Sequence, residues 1–355
     1  MPKRPIGKIS ISEFKEVILP FSGFKDNNVI LGAGVGEDAA VVKFGGGLLV
    51  LKTDPISGAV NLVGWLAVHV NANDVATRGG KPKWFLASLM LPTTSDTGTV
   101  RKIMEQINEA AMELGVSVVG GHTEFTSSVE HPIVAGTMIG VIDSERYFSV
   151  KNAEVGDLIV ETKAAGIEAT SILATDLDNE VEKIYGRDFV LKAKDYIKNI
   201  SVVKEASIAA KNPGVTAMHD CTEGGVITAV YEIAEASGKG ILIWADKIPV
   251  WEETLKITGI FNLNPLEIIA SGSLLITVNE KYADKLISVL EFNRVPATVI
   301  GKVMPSSFGR KIKYKDVVKD IEIPGTDPLW RLLDKIFKSS GASLSTVRRG
   351  EKSSY

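Results

Sequence analysis

The stretch Gly36 to Asp54 reads GEDAAVVKFGGGLLVLKTD. Ala39 to Phe44 and Leu48 to Thr53 are apolar runs of strand length, and Gly45, Gly46 and Gly47 between them supply the positive φ angles of a tight hairpin. The glycine run lacks the Gly-Lys-Ser/Thr ending that sets a lysine and a hydroxyl on phosphate and Mg²⁺, so it reads as a turn and not as a P-loop. Acids flank the hairpin: Glu37 and Asp38 precede it, and Asp54 is expected to end its second strand.

Working outward, Asn61 to Arg78 predicts a helix, closed by Gly79 and Gly80 and followed by Pro82. Val63, Ala67 and Val70 form an apolar stripe that Asn71 and Asp74 continue, so these polar groups need partners or a ligand. Trp84 to Leu91, Val116 to Gly120 and Ile133 to Ile142 read as strands and Thr99 to Leu114 as a helix. The polar run Asp143 to Gly156 precedes a new strand at Asp157 to Thr162, which places a boundary near residue 150. The expected organisation is an N-terminal domain (1–150), a C-terminal domain (151–338) and a flexible tail (339–355). In the second half, helices are expected at Glu168 to Ala174, Asp188 to Ala210, Gly225 to Ala236 and Tyr282 to Leu290. Strands are expected at Val215 to Met218, Gly240 to Trp244, Ser273 to Val278 and Ala297 to Lys302. Leu329, Leu332, Leu333, Ile336 and Phe337 then repeat at helical spacing behind an Asp327 N-cap and Pro328 at the first helical position. Alternating elements of this kind predict a layered α/β (α+β) protein.

The 45% apolar and 23% charged shares are those of a globular chain, and 355 residues suit two domains. A net charge of −3 offers no field for a polyanion, so nucleic acid is not an expected partner. The apolar stretches Val60 to Val70 and Phe85 to Leu91 are too short to span a bilayer, and no secretory signal is evident at Met1 to Ser10. The single cysteine, Cys221, excludes an internal disulfide and a cysteine-based zinc cluster. A cytoplasmic location is expected.

Four first-half segments set acids where strands or helices end: Glu37-Asp38, Lys52-Thr53-Asp54, Asn73-Asp74 and Gly120-Gly121-His122-Thr123-Glu124. Converging carboxylates repel one another unless a cation is present, and Mg²⁺ takes oxygen ligands, so the set points to a hard cation. On that reasoning, neutralising Asp54 or Asp74 leaves the ligand-free protein as stable as before or more so. Taken singly, each acid also suits a turn, a cap or an ion pair. In the second half, His219-Asp220-Cys221-Thr222-Glu223-Gly224-Gly225 joins a strand to a helix, a place where backbone N–H groups and the helix dipole receive anions; the same turn also suits Thr222 as a cap. Lys163 lies in another strand-to-helix loop, as a phosphate contact or a solvated lysine. His219 is a candidate general base or a hydrogen-bonded structural histidine; His69 and His131 read as structural. Cys221 reads as a small buried residue and not as a nucleophile.

Taken in order, these segments resemble the ATP-binding superfamily of aminoimidazole ribonucleotide (AIR) synthase, selenophosphate synthetase, thiamine-monophosphate kinase and the hydrogenase-maturation protein HypE, over roughly residues 28 to 305. The marks are Gly36-Glu37-Asp38-Ala39-Ala40, Thr53-Asp54, Asn73-Asp74-Val75-Ala76, Gly120-Gly121-His122-Thr123, the His219 to Gly225 segment, Asn264-Pro265-Leu266-Glu267 and Ile300-Gly301-Lys302-Val303. The His-Asp-X-Thr-X-Gly-Gly form is similar to HypE and AIR-synthase-related proteins. The resemblance implies two α/β domains and a homodimer in which N-terminal domains close a shared β-barrel. It implies ATP and Mg²⁺ as cofactors, with Asp38, Asp54 and Asp74 on metal and Asp220 facing the same cleft. Where relatives carry an acid after the paired glycines this chain has His122, so either Glu124 takes over as the metal ligand or that site is altered. Asn73, Gly120, Gly121, Lys163, Thr222, Gly224 and Gly225 are the implied ATP or phosphate contacts, and His219 with Asp220 the implied catalytic pair.

HypE carries its carbamoyl group on a C-terminal cysteine, whereas this sequence ends Glu351-Lys352-Ser353-Ser354-Tyr355, so chemistry on a tail cysteine is not expected. The implied function is ATP-dependent activation or phosphorylation of a small or carrier-bound acceptor, with a possible maturation partner protein. The alternatives are a small-molecule kinase of the thiamine-monophosphate type and a non-catalytic nucleotide-binding maturation partner.

Overall fold

The computed structural model describes residues 7–21, 23–57, 62–323 and 325–339. The helix start expected at Asn61 and the tail from residue 340 onward lie outside the described residues. In chain order, the turn α1 (Ile11–Glu13) runs into a π-helical turn (Phe14–Ile18) and is followed by β1 (Val29–Leu31), β2 (Ala40–Phe44), β3 (Gly47–Ile56), α2 (Val63–Thr77), β4 (Lys81–Pro92), α3 (Thr97–Leu114), β5 (Ser117–Thr126) and β6 (Ile133–Ile142). The chain continues with β7 (Leu158–Thr162), α4 (Ile167–Asp176), α5 (Asp178–Tyr185), α6 (Arg187–Lys194), α7 (Val203–Ala209), β8 (Val215–Asp220), α8 (Gly225–Ser237), β9 (Gly240–Trp244) and α9 (Glu252–Ile260). It closes with β10 (Leu274–Val278), α10 (Glu280–Phe292), β11 (Ala297–Met304), β12 (Arg310–Tyr314), β13 (Val317–Asp320) and α11 (Pro328–Ser339). The chain divides into two compact units, one built mainly on Asp38–Tyr147 with Asn28–Leu31, the other mainly on Phe148–Leu333 with Met1–Asn27 and Gly32–Glu37.

In the first unit the sheet order is β1-β2-β3-β6-β4-β5, antiparallel except where β4 runs beside β5. The glycine hairpin forms as expected: Gly45 and Gly46 take φ of 56° and 84°, so two left-handed residues close the β2–β3 turn. β3 then runs on to Ile56. Asp54 and Pro55 therefore lie inside a strand, opposite Gly136 and Ala135, and Asp54 is not the strand-end residue expected. The proline is tolerated because β2 pairs with β3 only as far as Leu51, leaving that side of the strand open.

Helix α2 is buried on nearly every side, in contrast to the single apolar stripe expected from its sequence. It packs on the sheet and against α3, and glycines set the distance. Gly136 and Gly140 share one face of β6, and Asn71 and Val75 share one face of α2. A Cβ on Gly140 would lie 2.2 Å from Cγ1 of Val75, and one on Gly136 would lie 2.6 Å from Nδ2 of Asn71. On the far side, a Cβ on Gly64 would meet the Ile103 carbonyl at 2.4 Å. Close approach thus brings the polar residues of α2 down onto the sheet. Asp96 caps α3, its Oδ1 accepting the Thr99 N–H at 2.8 Å, and Gly115 ends it in the left-handed region.

In the second unit the order is β13-β12-β9-β11-β7-β10-β8, antiparallel except for β12 beside β9. Val226, Val230 and Ile233 of α8 pack with Ile159, Ile241, Leu275 and Ile300 of the sheet to form its core. The single helix expected over Asp188 to Ala210 is broken into α6, a 3₁₀ turn (Asp195–Asn199) and α7. The break has a cause: the carbonyls of Asn199 and Ser201 are bonded by the Lys163 ammonium. The charged hairpin β12–β13, RKIKY and VVKD, escaped the strand pattern because its lysines occupy an exposed edge. Asp327 caps α11 as expected, accepting the Leu329 N–H at 2.9 Å. Among the described residues no helix is long and apolar enough to cross a membrane.

Gly140→Ala is expected to destabilise the fold by about 1 to 3 kcal/mol, because the added methyl overlaps Val75. Combining it with Val75→Ala should recover part of that loss in denaturant unfolding; strictly additive effects would contradict the close packing of α2 on β6.

Candidate functional site

Leu48, Val50, Lys52 and Asp54 alternate onto the face of β3 that meets α2, so the row changes from apolar to charged in mid-strand. At this change the Lys52 ammonium stands 2.9 Å from Oδ2 of Asp74 and 3.5 Å from Oδ2 of Asp54. Burial alone would lower the ammonium's pKa, but the carboxylates of Asp74, Asp54 and Asp38 outweigh it and hold Lys52 protonated. Nδ2 of Asn71 donates to the Asp54 carbonyl at 3.2 Å and to the Ala67 carbonyl at 2.8 Å, fixing helix to strand. Asn73 is fully buried one position before Asp74.

Asp38 is held by a second internal cation. Arg78, completely buried, donates from Nη2 to Asp38 Oδ2 at 2.7 Å, and the Thr77 hydroxyl donates to the same oxygen at 3.0 Å. The clustered acids therefore have chain cations beside them, and the inference from repulsion to a bound metal does not follow in that form. The stability expectation reverses with it: Asp74→Asn strands the Lys52 charge and should destabilise the ligand-free protein. Neither Lys52 nor Arg78 was read as a site residue. The available signal was a lysine two residues before Asp54, hence on the same strand face, and an arginine four residues after Asp74 on the same helix face.

Gly120, Gly121 and Glu124 lie within β5 and not in a loop at its end. A register shift between Phe85 and Leu86 leaves Val119 as a bulge, and Gly121 pairs with Ala87, whose carbonyl a Cβ would approach to 2.0 Å. Asp54, Gly136, Ala87 and Gly121 form one row across the sheet, so Gly121 is three strand spacings from Asp54, roughly 14 Å. Glu124 is three residues farther along β5, exposed, with its Oε2 3.4 Å from Nε2 of His122. Within a single chain it stands apart from Asp54 and Asp74.

In the second unit β8 carries His219 and Asp220, both buried, to the β8–α8 loop. Nε2 of His219 lies 2.8 Å from Oε2 of Glu232 on α8. Gly224 and Gly225 both take positive φ, and a Cβ on Gly225 would meet the carbonyls of Ile268 at 2.6 Å and Leu266 at 2.7 Å, so only glycine fits there. The loop's anion-binding capacity is partly used from within. The Gly224 N–H donates to Oδ2 of Asp327 at 2.8 Å, and Oγ1 of Thr222 accepts from the Lys8 ammonium at 2.9 Å.

Lys163 is no exposed phosphate contact: its ammonium donates to the carbonyls of Asn199 at 2.8 Å and Ser201 at 2.7 Å and pairs with Glu205 at 2.7 Å. Cys221 is fully buried and its thiol is pushed up, by burial first and by the Glu161 charge next, as suits a packing residue. His131 hydrogen-bonds the Ser57 carbonyl, and His69 pairs with Glu113, as structural histidines do.

Two buried carboxyls were missed because they sit inside apolar patterns. Glu161, completely buried in β7, accepts from the Ser273 hydroxyl at 2.8 Å through Oε1, while Oε2 has no hydrogen-bond partner among the described residues. Burial pushes it up to about 8. Glu168 is pushed up to about 7 by burial, with Asp327 and Glu223 adding repulsion.

A carboxyl raised in the folded state binds protons that the unfolded chain releases, so its presence penalises folding progressively from pH 4.5 to about pH 8. Glu161→Gln is expected to melt above the natural protein by a margin that widens over that window, reaching on the order of a few kcal/mol at pH 8. A margin independent of pH would contradict a neutral Glu161.

The AIR synthase related protein N-terminal domain matches residues 36–142 and the corresponding C-terminal domain matches residues 154–312. A putative hydrogenase expression/formation protein of Methanocaldococcus jannaschii is 28% identical over 333 residues, 92% of this chain and 97% of that protein. The thiamine-monophosphate kinase of Pyrococcus horikoshii is 28% identical over 326 residues, 88% of this chain and 95% of the kinase. Among solved structures, a chain of a HypE–HypF complex superposes with a TM-score of 0.71 at 24% identity, covering 88% of this chain and 100% of that one. HypE in complex with ATP gives 0.70 at 23% identity, covering 82% and 90%. These likenesses establish a shared two-domain fold. With both domains of the family matched in order along one chain, the protein belongs to the AIR-synthase-related superfamily.

Proposed function

We propose that this chain is an ATP-dependent enzyme of the HypE-like group that uses the γ-phosphate to activate or phosphorylate a small or carrier-bound acceptor. The observation that carries the reading is the convergence of Asp54 and Asp74 on one ammonium, a place already organised to hold positive charge. That HypE has been solved with ATP bound supports the choice of nucleotide. The donor set is all oxygen, as Mg²⁺ requires, and Asp54, Asp74 and Asp38 are the residues assigned to hold it. When bound, Mg²⁺ neutralises charge that develops on the transferring phosphoryl group.

On this reading Asn73, Gly120, Gly121, Thr222, Gly224 and Gly225 contact nucleotide or phosphate, and His219, oriented by Glu232, serves with Asp220 in proton transfer. The structural bonds of Lys163 remove it from the phosphate set.

The protein is proposed to act as a cytoplasmic homodimer. β5 supports this, since it is an edge strand whose residues 117–125 are exposed, Val118, Val119 and Phe125 included, and such an edge invites a second strand. On this reading Glu124, which stands apart from Asp54 and Asp74 within one chain, meets a metal only across such a pairing. A HypE–HypF complex supports a maturation partner protein as the source of the acceptor.

The reaction is tested by incubating the protein with ATP, Mg²⁺ and a metabolite extract and finding which compound changes mass. ADP with free phosphate and a dehydrated or cyclised product fits the HypE-like reading, whereas ADP with a phosphorylated acceptor identifies a kinase. The site is tested by calorimetry: Asp54→Asn and Asp74→Asn should each weaken Mg–ATP binding by about 2 to 4 kcal/mol, or about 30- to 900-fold. Unchanged affinity in the folded fraction of both variants would remove the metal site.

A further inference from the structure

We infer that Lys52 is a resident cation that occupies the Asp54–Asp74 site before the metal does, and that it makes metal binding and nucleotide binding depend on each other. The inference rests on the function proposed above and adds to it how the site is regulated. Its basis is geometric. One ammonium lies 2.9 Å from Asp74 and 3.5 Å from Asp54, the Lys52 side chain is 19% exposed and that of Asp74 only 5%. Asp38, whose charge also reaches Lys52, is engaged by Arg78 instead.

A Mg²⁺ ion sits about 2.0 to 2.1 Å from its oxygen ligands. It cannot take the Oδ2 oxygens of Asp54 and Asp74 while the ammonium remains in contact with them, because two cations would then share one small volume. Metal entry at those oxygens therefore requires Lys52 to leave. Lys52 can do so because its four-carbon stem is flexible and its charge is a compact point. What differs between conditions is its destination. With metal alone, the displaced ammonium gives up two carboxylates for water. With metal and nucleotide together, a phosphate oxygen is available to receive it. The same displacement is thus unfavourable in one case and compensated in the other, which is a coupling free energy between the two ligands. Nucleotide phosphates that ligate the metal also couple the two, and a lysine that served only as a structural partner of Asp74 would leave that coupling unchanged when replaced.

The experiment titrates the full chain with Mn²⁺, read by the loss of the free-ion electron paramagnetic resonance signal, with and without a non-hydrolysable ATP analogue. Natural protein, Lys52→Met and Lys52→Arg are compared, each checked for a folded melting transition. After subtraction of the Mn²⁺ that the analogue takes up in a protein-free titration, the natural protein should bind Mn²⁺ about tenfold or more tightly when the analogue is present. Lys52→Met should bind Mn²⁺ about tenfold more tightly than the natural protein without nucleotide, and the gain from the analogue should fall by a similar factor. Lys52→Arg, which keeps a displaceable cation, should retain coupling. Unaltered or weakened nucleotide-free Mn²⁺ binding in Lys52→Met overturns the inference while nucleotide binding still supports the proposed function. Absence of Mn²⁺–nucleotide binding in the natural protein overturns both. If Lys52→Met does not fold, loss of coupling in Lys52→Arg overturns the inference.

Discussion

The contact between the Lys52 ammonium and the Asp74 carboxylate is the constraint on which the first unit's chemistry depends. A helix that is buried on nearly every side cannot bring a carboxylate onto a sheet without a cation to meet it, since an uncompensated buried ion is destabilising by several kcal/mol. β3 supplies that cation in the same row as its own acid, Asp54. The glycines Gly136 and Gly140 allow the approach, and Asn71 fixes it by bonding back to the Asp54 carbonyl. Packing, polarity and the candidate site are therefore one arrangement, and a change in any of the three acts on the others.

The same rule operates in the second unit with different donors. Glu205 is met by Lys163, whose remaining hydrogen bonds cap the carbonyls that interrupt a helix. Asp327 both starts α11 and receives the Gly224 N–H, so the C-terminal helix and the β8–α8 loop share one carboxylate. Glu161 and Glu168 differ: each has one oxygen lacking a hydrogen-bond partner among the described residues, and burial pushes both up. Asp74, Asp327 and Glu161 thus stand for acids that are paired, that cap a helix or that hold a proton, and each solution has a different dependence on pH and ligand.

Much of the fold was legible because its strongest local signals are steric. The glycine turn between β2 and β3, the Asp327 cap and the strand β6 each need only neighbouring residues to be read. The candidate site was legible in part. Its acids could be located, but their partners only in part: Lys52 shares a strand face with Asp54 two residues away, whereas its contact with Asp74 and that of Arg78 with Asp38 are tertiary. Two strand ends were read too early: Asp54 was expected to end the second strand of the hairpin, and the strand from Val116 was expected to stop at Gly120. Both lie in strands, at an open side and beside a bulge, where those residues are allowed.

Assignment to the AIR-synthase-related superfamily, together with the convergence of two carboxylates on one ammonium, makes the Asp54–Asp74 pair the centre of this account. The most direct measurement is anomalous diffraction at the manganese edge from crystals grown with Mn²⁺ and a non-hydrolysable ATP analogue. The account predicts a manganese peak between the Asp54 and Asp74 carboxylates, with Lys52 withdrawn from Asp74 onto a phosphate oxygen. A bound nucleotide with its manganese elsewhere, and Lys52 still in contact with Asp74, would contradict it.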